Sequence, residues 1–201
     1  MVGLGKIFQK LKERRLMEVK EAIKARRAYR SLEPVDITLE LIEDLAESAG
    51  LAPSCFNNQP WRFVFVYDRG TLEELWQAMS KGNEWTRLAS MIVAVVTRKD
   101  LDCDIKGREY YLFDTGMATA FLILRATELG LVAHPIAGYN EERVKEILGI
   151  PEDMKVITLV IVGKHSETIS PLLTEKQVEA ERTRPPRLPL KEYAFLNRWK
   201  T

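Results

Sequence analysis

Apolar residues follow two rhythms along this chain, one close to the helical repeat and one compact enough for strands. Between about Gly5 and Arg27, Ile7, Phe8, Leu11, Met17, Val19 and Ile23 recur at loose helical spacing, which predicts one or two amphipathic helices stopped by Pro34. Thr38 is placed to cap a further helix with the apolar face Leu41, Ile42, Leu45, Ala46 and Ala49, ended by Gly50 and Pro53. The stretch WRFVFVY (61–67) is rich in aromatic and β-branched residues and predicts a strand. Thr71 with Glu74 three residues on reads as a capping box opening the helix LEELWQAM.

SMIVAVVT (90–97) is almost wholly apolar, as expected of a strand buried on both faces. Gly107 to Gly130 predicts the longest helix; Phe113, Met117, Ala120, Phe121, Leu124 and Ala126 leave it little polar face, so it should run through the core. LVAHPIAG predicts a short strand entering a turn, Asn140 a cap for EERVKEIL, and KVITLVIVG (155–163) a third clear strand. Helices and strands therefore interleave around one sheet, in one domain over residues 1–163. Beyond Gly163 the prolines at 171, 185, 186 and 189 forbid a continuous helix. Residues 164–201 read as an extended tail whose Tyr193, Phe195, Leu196 and Trp199 are expected to pack on a second subunit.

Composition narrows the class. The chain has 201 residues, 46% hydrophobic and 29% charged, as a folded globular domain requires. No apolar run reaches the roughly 20 residues of a membrane span, and the start MVGLGKIFQKLKERRL lacks a signal-peptide core, so the expected location is the cytoplasm with no membrane partner. Cys55 and Cys103 are the only cysteines and are expected to be free thiols. The net charge is +1, although residues 1–30 carry ten Lys or Arg against three Glu; zinc-finger, helix-turn-helix and RNP patterns are absent, which argues against nucleic acid as a partner.

Several chemistries drop out for want of their motifs. His134 and His165 have no metal-ligand spacing, no GxSxG elbow is present, and neither GxGxxG nor GxxxxGK[ST] occurs. What remains is ARRAYRSLEP (25–34), with Arg26, Arg27 and Arg30 crowding a helix end. Such a cluster is either a solvated basic face or an anion site: Arg26 and Arg30 would share a helix face and repel, and a bound phosphate would turn that repulsion into attraction.

Four segments in order, RRAYR, APSCFNNQPWRF, GLVAHPIAGY and RPPRLPLKEY, with DTGMATAFLILRATELGL (114–131) among them, resemble the nitroreductase family of FMN-dependent oxidoreductases over roughly residues 17–193. The resemblance implies an α+β, three-layer nitroreductase-like fold: a central mixed, mostly antiparallel sheet flanked by helices around a long buried central helix. It further implies a homodimer with FMN at the interface and a ping-pong exchange. NADH or NADPH would be the donor, and a small molecule such as a nitroaromatic or quinone the acceptor.

By the same resemblance Arg26 and Arg27 belong on the FMN phosphate side together with Arg187, for which Arg184 is a backup, while Arg30 belongs at the N1/C2 edge of the flavin. Ala28 replaces the family's serine. Ser54 and Asn57, with Cys55 between them, would approach the partner subunit's flavin. Pro135, Ile136, Ala137 and Gly138 form the turn over it, with the N–H groups of Ala137 and Gly138 toward N5 and O4. Asn83 and Arg87 are further candidates to touch the ring. No catalytic side chain is expected, because flavin N5 carries the chemistry. A flavin- or phosphate-binding protein without turnover is the alternative reading.

Overall fold

The computed structural model describes residues 17–199. The elements in chain order are α1 (Val19–Ala25), β1 (Leu32–Glu33), α2 (Leu39–Gly50), β2 (Arg62–Val66), α3 (Arg69–Gln77), β3 (Met91–Thr97), β4 (Asp104–Ile105), β5 (Arg108–Glu109), α4 (Tyr110–Glu128), β6 (Leu131–Ile136), α5 (Glu141–Leu148), β7 (Lys155–His165) and α6 (Glu175–Arg182). The predicted helical pattern before Met17 lies outside the described residues.

β7 organises the sheet. It pairs with β3 along Lys155–Val162, with β6 through Leu159–Lys164, and with β1 at Lys164 and His165, while β2 lies on the far side of β3. Every one of these pairings is antiparallel. Because strand side chains alternate, β3 serves two cores: Ile92, Ala94 and Val96 pack with Leu72, Leu75, Trp85 and Val144 on one face. Met91, Val93 and Val95 pack with Leu45, Ala49, Ala118 and Leu122 on the other. Helix, sheet and helix thus make three layers, and the apolar run in β3 is explained by its burial on both faces.

Thr38 and Asn140 cap their helices as expected, accepting the N–H groups of Leu41 and Arg143. The predicted box at Thr71 does not form. α3 starts three residues earlier, because Asp68 accepts the N–H groups of Gly70 and Thr71 and a carboxylate is the stronger acceptor at the positive helix end. α4 starts at Tyr110, three residues later than expected, since Asp104–Ile105 and Arg108–Glu109 pair as a hairpin whose turn uses Lys106 and Gly107 at positive φ.

α4 also departs from the fully buried helix the sequence predicts. Asp114, Ala118, Leu122 and Ala126 face the sheet, but Phe113 is 63% and Phe121 41% exposed, and Leu112 is exposed beside them. Among the described residues nothing covers that apolar face. The tail contains an unexpected helix, α6, held by a capping box between Thr174 and Gln177 and packed back on the chain's own body. Beyond it Leu188, Leu190, Tyr193, Leu196 and Trp199 stand exposed.

The two cysteines are not free thiols. Cys55 and Cys103 form a disulfide with a Cα–Cα separation of 6.1 Å, within the usual range for such a bridge. A separation of 48 residues with no CxxC spacing left the pairing invisible in sequence.

Candidate functional site

Chain leaving α1 is locked to the end of α6. The Glu181 carboxylate, 8% exposed, accepts the backbone N–H of Arg30 at 2.7 Å and of Ser31 at 3.2 Å. In return Arg27 donates through Nη2 to the carbonyls of Ala180 (2.7 Å) and Glu181 (3.2 Å), in the last turn of α6 where carbonyls lack helical partners. The Arg27 guanidinium also lies 4.6 Å over the Tyr29 ring, and Tyr29 stacks on His165. The side chain of Arg27 is thus spent on α6.

Arg26 instead faces a groove of about 620 Å³, with Arg184 and Arg187 from the tail, Ile123 and Leu124 from α4, and Pro135 from β6. Arg184 is fixed there by donating to the carbonyls of Lys24 at 2.6 Å and Arg26 at 3.1 Å. Burial, followed by the charges of Arg184, Arg187 and Arg27, makes the Arg26 proton easier to lose than usual. No carboxylate lines this groove among the described residues. It therefore combines apolar walls with concentrated, uncompensated positive charge, a match for a ligand that is flat and apolar over most of its length and anionic at one end.

Arg30 does not line that groove. It borders a neighbouring cavity of about 560 Å³, with Gly82, Gln177, Thr183 and Arg184, so Arg184 alone of the arginines reaches both spaces. Its guanidinium stands 5.8 Å from the Trp85 ring centroid, and Trp85 stacks at 4.8 Å on His134. Burial holds the His134 imidazole at about 4, opposed by its hydrogen bond to the Tyr29 carbonyl (3.1 Å) and reinforced by Arg30 and Arg26, so the ring is neutral at pH 7.

Directly after His134, Pro135 and Ile136 end β6, and Ala137 and Gly138 leave the sheet. Pro135 and Ala137 are exposed and Ile136 is buried. The Gly138 carbonyl accepts the Ser80 N–H at 3.0 Å and the Asn83 side-chain amide at 2.8 Å, so Asn83 braces this turn. A Cβ on Gly138 would meet Asn83 Nδ2 at 2.5 Å, which accounts for glycine here. Arg87 is exposed within a short helical turn at Glu84–Leu88. Ala28 contributes its carbonyl to Arg30 at 3.5 Å.

Ser54, Cys55 and Phe56 line a third space, about 420 Å³, bordered by Tyr110, Phe113, Asp114 and Met117 of α4. The Cys55 N–H donates to Asp114 at 2.6 Å and the Ser54 hydroxyl accepts the Gln59 N–H at 3.0 Å. Asn57 is exposed and, like Phe56 and Gln59, takes a positive φ. Along α4, at 1.5 Å per residue, Asp114 and Ile123 stand about 13 Å apart, so one chain does not bring Ser54–Asn57 to the arginine groove. Sequence reasoning missed Glu181 and Asp114, whose partners are backbone N–H groups and leave no motif.

A family model described as "Nitroreductase family" matches residues 23–87 and 80–164. A protein of Archaeoglobus fulgidus named as a candidate NADH dehydrogenase/NAD(P)H nitroreductase is 33% identical over 150 residues, covering 73% of this chain and 84% of the relative. An iodotyrosine deiodinase of Haliscomenobacter hydrossis is 30% identical over 171 residues, covering 71% of this chain and 77% of that protein. Among solved structures, one described as an oxidoreductase containing FMN superposes with a TM-score of 0.77 at 28% identity, covering 89% of this chain and 91% of the other. With the family model matched over residues 23–87 and 80–164 and a relative 33% identical over 73% of this chain's length, the chain belongs to the nitroreductase family.

Proposed function

We propose that this chain is an FMN-dependent oxidoreductase that takes electrons from NADH or NADPH and passes them in a ping-pong sequence to a small acceptor such as a nitroaromatic or a quinone, working as a homodimer. The observation that carries the reading is the arginine groove. Arg26, Arg184 and Arg187 line one trough together with apolar residues and without a carboxylate among the described lining residues. A terminal phosphate supplies the missing charge, and Ile123, Leu124 and Pro135 suit a planar ring system.

FMN, when bound, supplies the hydride-accepting ring, so the absence of an acid, base or nucleophile motif is no obstacle. The chain's own residues bind and orient. Arg26 and Arg187 hold the phosphate, with Arg184 fixed between the two cavities. Neutral His134 and Trp85 seat the Arg30 guanidinium, whose charge favours electron density arriving nearby. The turn at Ala137 and Gly138, braced by Asn83, offers backbone N–H donors. Ser54, Cys55 and Asn57 serve the site of a second copy, which is why they lie some way along α4 from the groove, and the exposed Phe113 and Phe121 give that copy an apolar face to cover.

The test is spectroscopic. Purified protein should show flavin absorbance or take up FMN, and anaerobic NADH or NADPH should bleach it; bleaching by neither leaves a binding protein without turnover. Arg26→Ala combined with Arg187→Ala should weaken FMN binding at least about 100-fold while leaving the unfolding midpoint intact, because two charge-assisted contacts are lost. Undiminished FMN affinity in that variant overturns the phosphate assignment.

A further inference from the structure

The disulfide ties down a part of the chain whose backbone takes an unusual path. Phe56, Asn57 and Gln59 have φ of 48°, 59° and 50°, three non-glycine residues in the left-handed region within four positions. Few restraints carry this segment to the rest of the fold. The Cys55 N–H reaches Asp114, the Asn58 amide reaches Asp102 at 3.2 Å and the Cys103 sulfur at 3.4 Å, and the covalent bond joins Cys55 to Cys103. Apart from the Cys55–Asp114 bond and the Arg62 guanidinium of β2, which donates to the Gln59 carbonyl at 3.0 Å, these ties run to the same two residues, 102 and 103, so opening one bond loosens them together.

The pair is also equipped for exchange. Both cysteines are half-buried rather than sealed in the core, so a small thiolate can approach. An Asp102 carboxylate oxygen and both sulfurs lie within 4.8 Å of one another, and Asp102 Oδ2 is buried with no hydrogen-bond partner. Beside it Asp114 is held toward its protonated form, by burial first and by Asp102 as well, against the pull of the Cys55 N–H. A carboxyl group placed so can give a proton to a departing thiolate and accept one when the bond re-forms.

We propose that Cys55–Cys103 is a reversible thiol–disulfide site, exchanged by a small dithiol, whose oxidised form fixes Ser54–Gln59 in its left-handed path and whose reduced form releases it. In the reduction a dithiol thiolate attacks one sulfur, the S–S bond breaks and a mixed disulfide forms. The second thiol of the reagent then displaces the remaining cysteine. Two electrons and two protons pass to the protein, which gains two thiols, and the reagent leaves as a cyclic disulfide. The exchange stands apart from the FMN reading; only its consequence for cofactor binding rests on it.

The experiment equilibrates the full chain, without denaturant, in graded ratios of reduced and oxidised dithiothreitol, traps thiols by alkylation for mass measurement, and follows amide hydrogen exchange. Two thiols should appear and disappear together. Exchange of Ser54–Gln59 should rise at least about tenfold on reduction, while that of β3 stays unchanged. Cys55→Ser and Cys103→Ser should show the reduced pattern at every ratio; if either fails to fold, the wild-type comparison decides alone. A bond that resists excess dithiothreitol, cysteines that stay alkylatable in the oxidised buffer, or unchanged exchange at Ser54–Gln59 overturns the proposal. FMN affinity in both redox states is read separately: failure to bind in either removes the flavin reading and leaves the exchange result standing.

Discussion

Glu181→Ala should detach the arginine loop from α6, and the structure sets the size of the effect. The substitution leaves the N–H groups of Arg30 and Ser31 without their carboxylate. A hydrogen bond to a charged acceptor contributes about 1.5 to 3 kcal/mol. Ser31 is 1% exposed, so its amide has no ready water to turn to, whereas Arg30 is only half-buried and recovers part of its loss. The sum is about 3 to 5 kcal/mol, enough to release α6 locally even where the sheet stays folded. Glu181→Gln retains one acceptor oxygen and turns an amide NH2 toward the second donor, so about half the loss is expected. Urea unfolding gives the global cost, and amide exchange at Arg30 and Ser31 gives the local one. If Glu181→Ala lies within about 0.5 kcal/mol of wild type and those two amides stay protected, Glu181 is not the latch described here.

His134 makes stability depend on pH. The folded imidazole titrates at about 4 against 6.5 when free, so below 6.5 the unfolded chain binds the extra proton and gains. Stability is constant above about pH 7 and falls through the window from 6.5 to 4, by about 3 kcal/mol at its end. Urea midpoints across that window, compared with His134→Gln, isolate this contribution from the carboxylates; identical slopes in the two proteins refute it. Gly138→Ala should cost about 1 to 3 kcal/mol, because its Cβ displaces Asn83 and with it the bond to the Gly138 carbonyl. Thermal melting of the variant checks this, and an unchanged midpoint means the turn has room the structure does not show.

The sheet was legible because β3 and β7 are apolar enough to admit few other readings, and Thr38 and Asn140 because a cap sits beside its own helix in sequence. What stayed hidden depends on distance along the chain. Glu181 recognises Arg30 and Ser31 from 150 positions away through backbone groups that every residue possesses. Cys55 and Cys103 meet only because the β4–β5 hairpin brings Asp102 and Cys103 back under the turn before β2. α4 misled for a different reason. Apolar residues all round a helix signal contact on all sides, but not whether the contact comes from the same chain.

That ambiguity in α4 bears on function. Its sheet-facing residues Ala118, Leu122 and Ala126 are fully buried, so the exposure of Leu112, Phe113 and Phe121 is not a sign of a loosely packed helix. The arginine groove opens against Ala120, Ile123 and Leu124, and the Ser54–Phe56 space against Phe113 and Met117, so both candidate surfaces share one half-covered helix. The described residues of a single copy leave the two surfaces apart and the apolar face uncovered. In an antiparallel pairing of two copies of α4, the N-terminal half of each helix would lie beside the C-terminal half of the other. Ser54–Asn57 of one chain would then stand opposite the arginines of its partner, with no change in either fold. Dimerisation and cofactor binding are therefore one hypothesis in this protein, because the same face of α4 has to be covered for either to be complete.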